Sequence, residues 1–185
     1  MGHRNLVSAD DTLIKTQCHN AEDPKACIQC VKSDPQSQSA DKVGIAAIVI
    51  TCISNKAVTL ESNMTNLVSA NDTLIKTQCH NAEVPEVCIQ CVKSDPRSQS
   101  ADKVGIAATK ELSDAKTNLT TAMDRLKSKD YDQTNYLVNH ALQKEFDCKK
   151  NVGDLQYTLP TTVLNDMTLY EELSEAAMRI IDRFL

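Results

Sequence analysis

The 185-residue chain has no Trp, two Phe and four Tyr. A core must therefore come from Leu, Ile, Val, Met and Ala, and surfaces that stack bases or sugars on aromatic rings have little to build from. Only four Gly are present, too few for a glycine-rich phosphate loop. A basic excess is also missing: 20 Lys+Arg against 25 Asp+Glu give a formal charge of −5, which argues against a nucleic-acid partner. No uninterrupted apolar run reaches the ~18 residues of a membrane span. The most apolar stretch, Ile45 to Ile53, is broken by Thr51, and no membrane association is expected. Met1-Gly2-His3-Arg4-Asn5 has no apolar segment behind it, so no signal peptide is visible.

What is present is cysteine, at positions 18, 27, 30, 52, 79, 88, 91 and 148. An even count suits an oxidising compartment, although eight in 185 is sparser than a disulfide scaffold. Three N-glycosylation sequons begin at Asn63, Asn71 and Asn118, compatible with secretion and a glycoprotein.

A near-exact duplication organises the first half. Residues 5–47 align with 66–108 at an offset of 61, and 38 of the 43 positions are identical. The five differences are Asp10/Asn71, Asp23/Val84, Lys25/Glu86, Ala26/Val87 and Gln36/Arg97. Two copies do not make a solenoid, which needs at least three stacked units. Each copy reads as a short helical hairpin followed by a long helix. Leu13, Ile14, Gln17 and Cys18 sit at helical spacing, and Pro24 suits the first turn of the next helix. Ser33-Asp34-Pro35 ends that helix, because the residue before proline disfavours the α region. Ser37 or Ser39 is then expected to cap a new helix, with Asp41 in its first turn.

Downstream, Ala101, Val104, Ala108, Leu112, Ala115, Leu119, Ala122 and Leu126 form a stripe at spacings of three and four. Val138, Ala141, Leu142, Glu145 and Phe146 mark a second helix ending near Cys148, and Met167 to Phe184 a third. Glu171-Glu172 is expected at the start of that last helix, serving its dipole. No segment alternates as a strand, so the fold class is all-α, a helix bundle.

The spacing Cys18-x8-Cys27, repeated as Cys79-x8-Cys88, brings two cysteines together across a tight hairpin. Closing so short a loop contributes ~2.5 kcal/mol in the chain-entropy model, the alternative being buried thiols. Cys27-x2-Cys30 and Cys88-x2-Cys91 could also supply four thiolates to zinc, with His19 and His80 as spare ligands. Their similarity follows from the duplication without any metal, so neither metal nor cofactor is expected. The four His and the scattered carboxylates form no catalytic constellation, and the chain reads as a non-enzyme.

Cys79-x8-Cys88-Ile89-Gln90, Ser94-Asp95-Pro96-Arg97-Ser98 and Ala101-Asp102, matched in the first copy by Cys18, Cys27, Ser33-Asp34-Pro35 and Ala40-Asp41, resemble the plant invertase inhibitor and pectin methylesterase inhibitor family. Asp114-Ala115-Lys116, Lys127-Ser128-Lys129-Asp130-Tyr131, Phe146-Asp147-Cys148 and the tail 159–185 are similar to its bundle helices, closest to the branch containing the plane-tree pollen allergen. The resemblance implies a disulfide-stapled N-terminal hairpin leading into a four-helix up-and-down bundle. It further implies a secreted apoplastic or cell-wall protein (or a vacuolar one). Such a protein occludes a pectin methylesterase or acid invertase in a 1:1 complex. The binding loop carries over to 149–162, placing Lys149, Lys150, Asp154 and Pro160 at the target.

Three departures stand out. The position expected to pair with Cys148 is Ala108, the phenylalanine usual after that cysteine is absent, and the loop lacks Pro-Lys-Phe. A non-inhibitory structural or allergen-like bundle is therefore the alternative, and a disulfide-rich helical carrier a third. The expected organisation is one domain, 1–185. It comprises a first hairpin 5–36, a first bundle helix 39–63, an inserted hairpin 66–97 and the remaining bundle helices within 99–185. In this arrangement Cys52 becomes a candidate partner for Cys148 on a neighbouring helix.

Overall fold

A computed structural model describes residues 9–184 except 95 and 155–158; the side chains of 9–10, 67–72, 74 and 96–104 also lie outside the described set. Seven helices follow one another among the described residues: α1 (Ala9–Cys18), α2 (Pro24–Ser33), α3 (Lys42–Cys79), α4 (Pro85–Ser94), α5 (Pro96–Lys127), α6 (Tyr131–Gly153) and α7 (Thr161–Ile181). A 3₁₀ turn, Pro35–Ser39, joins α2 to α3, and another, Asp182–Phe184, follows α7. The protein is all-α.

Aspartates set most of the starts. Asp23 accepts hydrogen bonds from the backbone N–H of Lys25 (2.8 Å) and Ala26 (3.2 Å), with Pro24 in the first turn of α2. Asp41, not Ser37 or Ser39, caps α3 by accepting from Gly44 N–H at 2.8 Å. The serines are instead spent inside the 3₁₀ turn, which Asp34 caps through Gln36 N–H at 2.7 Å. Each such cap is worth ~1 kcal/mol. Between α5 and α6 the chain reverses at Lys129, whose φ of 61° lies in the left-handed region. Lys129 N–H donates to Leu126 C=O and Asp130 N–H to Arg125 C=O, the paired bonds of a Schellman motif.

Helices α3, α5, α6 and α7 make the bundle, packed around a ring in that order, so that α3 and α6 face each other across the diagonal. Short connections between α5, α6 and α7 make these neighbours antiparallel. The core alternates large and small residues. On α5, Ala108, Leu112, Ala115, Leu119, Ala122 and Leu126 are all buried; Ala101 and Val104 of the same stripe lie outside the described side chains. They meet Ile50, Ala57 and Leu60 of α3, Val138 and Leu142 of α6, and Met167, Leu173, Ala177 and Ile180 of α7 in one cluster. One ion pair crosses each seam: Lys56–Asp166 (2.6 Å) between α3 and α7, Glu61–Lys116 between α3 and α5, Glu111–Lys144 (2.8 Å) between α5 and α6, and Lys149–Glu171 (2.9 Å) between α6 and α7. Each contributes at most ~1 kcal/mol, but together they favour one register.

The first hairpin, α1 and α2, lies against α3 and α7. It explains the apolar run of α3. Ile45, Ala46, Ile48, Val49 and Ile50 are all buried, because the hairpin covers the side that the bundle leaves open. The segment Lys42–Asn66 is apolar and long enough, by length and composition, to cross a membrane. In this fold it is the helix shared by bundle and hairpin.

Two boundaries differ from expectation. The bundle helix expected over 39–63 runs on without a break through the first helix of the second repeat, as one 38-residue α3. Nothing in 64–73 stops a helix: Met64, Thr65, Asn66 and the residues after them include no Gly or Pro. Likewise α5 starts at Pro96 rather than near 99. The second hairpin is thus a continuation of the bundle pair α3/α5, bent back on itself by α4, and no residue of α4 is buried.

Candidate protein-binding site

The cysteines show how the hairpins are held. Cys18–Cys27 and Cys79–Cys88 are disulfides, each with Cα atoms 5.6 Å apart. Cys52 does not pair with Cys148. Its partner is Cys30 (Cα–Cα 6.3 Å), which fastens α2 onto α3. The ring order gives the reason: Cys148 is on α6, diagonal to α3, whereas Cys30 lies on the hairpin packed directly on it. Cys148 is a buried thiol, its pKa pushed up to about 12 by burial and by the nearby carboxylates of Glu145 and Glu111. With Cys27, Cys30 and Cys88 each in a disulfide, the two C-x-x-C pairs keep one thiol between them, Cys91, which is too few to hold a zinc ion, and no cluster of three or more His, Cys, Asp or Glu stands ready for a metal among the described residues.

The end of the bundle where α6 hands over to α7 carries the residues expected to meet a target. Lys149 and Lys150 are not in a loop. They belong to the last turns of α6, which continues to Gly153, because no proline or turn signal interrupts 148–152. Lys149 Nζ donates to Glu171 Oε1 at 2.9 Å, and this bond raises its pKa. Lys150 is exposed, one turn from Phe146, which is 39% exposed although it is spaced with the buried Val138, Ala141 and Leu142. Asp154 is the C-cap of α6, with its backbone N–H on Lys150 C=O at 2.9 Å. Pro160 is the N-cap of α7; its carbonyl accepts from Val163 and Leu164. Leu159 is buried and anchors the connection, while Leu164 is exposed beside it. Phe146, Lys149, Lys150 and Leu164 therefore offer cationic and apolar groups at one end. Residues 155–158 of the expected 149–162 loop lie outside the described residues.

Behind this end sits an unexpected carboxyl. Glu145 is completely buried, and neither of its carboxylate oxygens has a hydrogen-bond partner. Burial, and then the charge of Glu171, push its pKa up to about 8, while Lys149 pulls it back. An ionised carboxylate only accepts, so a hydrogen bond between Glu145 and the neighbouring Glu171 is open to them only when one of the two holds a proton. Tyr170 shares the space, donating its hydroxyl to Ala141 C=O at 3.1 Å, and is itself held in the phenol form by burial. Glu171 and Glu172 are mid-helix rather than at the start of α7, since that helix begins at Thr161. Glu171 takes the Lys149 pair; Glu172 faces the first hairpin, where burial, Asp23 and Glu22 raise its pKa.

The sequons all fall in helices. Asn63 is half-buried on α3, the Asn71 side chain lies outside the described set, and Asn118 Nδ2 is 3.0 Å from His140 Nδ1. A cleft of ≈ 600 Å³ separates α2 from α3 and α7, lined by Asp23, Lys25, Lys56, Glu172 and the Cys30–Cys52 bridge.

No family model matches the sequence, and no curated protein matches it. Solved structures do. A mutant form A of a pectin methylesterase inhibitor from Arabidopsis superposes with a TM-score of 0.64 at 18% identity, over 91% of this chain and 95% of that one. A pectin methylesterase inhibitor from Arabidopsis thaliana gives 0.59 at 18% identity, over 94% and 97%. These neighbours are enzyme inhibitors, not enzymes, and the chain has their fold.

Proposed function

We propose that this chain is a non-catalytic binding protein that occludes a plant pectin methylesterase, with acid invertase as the second target class, in a 1:1 complex. The observation that carries the reading is the near-complete coverage of the two inhibitor structures, hairpin and bundle together. In this reading Lys149, Lys150, Asp154 and Pro160, with Phe146 beside them, meet the target, and the protein works in the apoplast or cell wall (or the vacuole). The disulfides suit that oxidising location, and Asn63, Asn71 and Asn118 are its glycosylation candidates. Purified chain should inhibit one of the two enzymes near pH 5 with a Kd of about 1 μM or tighter, about −8 kcal/mol. Charge reversal at Lys149 and Lys150 should weaken that inhibition. Full activity of both enzymes across the acidic range with a large excess of the chain present would refute it.

A second reading, a non-inhibitory structural or allergen-like bundle, is favoured by one observation. In an up-and-down arrangement, α3 leaves the bundle at the same end as the α6–α7 connection, so the second hairpin stands beside the proposed target surface. A variant lacking one 61-residue period separates the two readings: inhibition that appears only after the deletion assigns the full chain to the second.

A further inference from the structure

The two copies of the repeat share a sequence and differ in surroundings. In the first, Val31 and Ile45 are fully buried, and Cys30 and Gln17 are buried with them, because the hairpin is seated on α3 and α7. The matching residues of the second copy stand open: Val92 is 37% and Ile106 66% exposed, and Cys91 and Gln78 are exposed. Apolar groups that have a seat in one copy have none in the other.

Three of the five differences between the copies fall together. Positions 23, 25 and 26 all line the cleft between α2 and its seat, which also holds Lys56, Glu172 and the Cys30–Cys52 bridge. In the second copy, Val84 replaces Asp23, removing a carboxylate that bears on Glu172. Glu86 replaces Lys25, which reverses the sign of the charge at that edge of the cleft, where Lys56 is already paired with Asp166. Val87 replaces Ala26, adding apolar bulk where the first hairpin leaves space, and it is exposed as it stands. The second hairpin is thus the better complement in apolar volume to a seat its own chain has filled, and it spares Glu172 the neighbouring Asp23 carboxylate. The cysteines agree: 61 residues beyond Cys52 stands Ser113, so Cys91 has lost the partner that Cys30 has, and it is a free thiol. Its own Cys52 is out of reach, because 27 residues of continuous helix from Cys52 to Cys79 span about 40 Å.

We propose that the second hairpin of one molecule docks on the α3–α7 seat of a second copy, displacing that copy's first hairpin, and that Cys91 takes the place of Cys30 in the bond to Cys52. In the exchange, the Cys91 thiolate attacks Cys52 Sγ where the bridge borders the cleft. A Cys91–Cys52 bond forms, the Cys30–Cys52 bond breaks, and Cys30 leaves as a thiolate that takes up the proton Cys91 gave up. Thiols and disulfides are conserved in number, so no oxidant is required. The displaced hairpin swings on the Ala40-Asp41 link and keeps its own Cys18–Cys27 staple, the pattern of a domain swap.

The test mixes isotope-labelled and unlabelled full-length protein at about pH 8, where a free thiol is partly ionised, then alkylates and maps peptides without reduction. The expected result is a Cys91–Cys52 peptide joining a labelled to an unlabelled chain, with Cys30 newly alkylated. Cys91→Ser should abolish it. Val87→Asp changes a residue exposed in the monomer. It should leave Cys91 alkylation unchanged and cut the cross-linked peptide about tenfold, because it replaces apolar bulk with a carboxylate in the cleft that holds Glu172. Dimers joined only through Cys91–Cys91, an intact Cys30–Cys52 bridge in every chain, or an undiminished yield from Val87→Asp would each overturn the proposal.

Discussion

Glu145 should make the bundle an acid-favoured fold. Its carboxyl has no hydrogen-bonding partner in the ionised state and a pKa raised from 4.5 to about 8, chiefly by burial. A folded-state value above the unfolded one means that the associated stability is fully present below about 4.5 and is lost as pH rises through about 8. At 1.36 kcal/mol per unit the full shift would correspond to about 5 kcal/mol, and relaxation around a buried charge reduces this to roughly 2–4 kcal/mol. Glu145→Gln keeps the shape and removes the titration. Urea melts with disulfides intact should therefore show the wild type losing stability between about pH 4.5 and 8 relative to the variant, whose profile is flatter by that amount. Taking the difference between the two cancels groups they share, including Glu172, whose raised pKa acts in the same direction. Parallel profiles for the two proteins would refute the assignment of a neutral Glu145 to the core.

Other substitutions test other levels of the account. Lys129→Gly should raise stability by up to ~1 kcal/mol in thermal or urea melts, because glycine accepts the left-handed conformation at no steric cost. Leu119→Ala, at the centre of the α5 stripe, should cost 2–5 kcal/mol (about that range for buried leucines) by the same measurement. Tyr170→Phe should cost about 1 kcal/mol through the lost bond to Ala141 C=O. Cys52→Ser, which opens the link between α2 and α3, should cost about 3 kcal/mol and raise proteolytic cleavage of the first hairpin before that of the bundle.

The helices that line a single core were plain in the sequence, since burial on one side leaves a stripe at spacings of three and four; α5 from Ala108 to Leu126 is the clearest case. The C-x8-C hairpins were equally plain, because a disulfide over so short a loop depends on local geometry alone. What could not be read locally was continuity. The same residues that begin a separate α1 in the first copy extend α3 in the second, and only the upstream segment, already helical, decides between them. The Cys52 partner is not legible in the sequence for a related reason. Pairing depends on which helices are adjacent around the ring, and neither spacing nor composition records that order. At the candidate site, the sequence carries no signal that keeps Lys149 and Lys150 within α6 rather than in the loop after it, and none that leaves Phe146 partly open next to them. Glu145 carried one signal, a carboxyl at a position spaced with Val138, Ala141 and Leu142. Its burial follows from α7 closing over it, a contact between helices distant in sequence.

The most direct test of the central claim is calorimetric titration of a plant pectin methylesterase with the full-length, disulfide-intact chain near pH 5, with substrate absent. The account predicts a saturable 1:1 isotherm with a Kd of about 1 μM or below, abolished when a substrate-length pectin oligomer occupies the cleft and weakened by charge reversal at Lys149 and Lys150. A flat titration at tens of micromolar (roughly −6 kcal/mol or weaker) against both pectin methylesterase and acid invertase would contradict it.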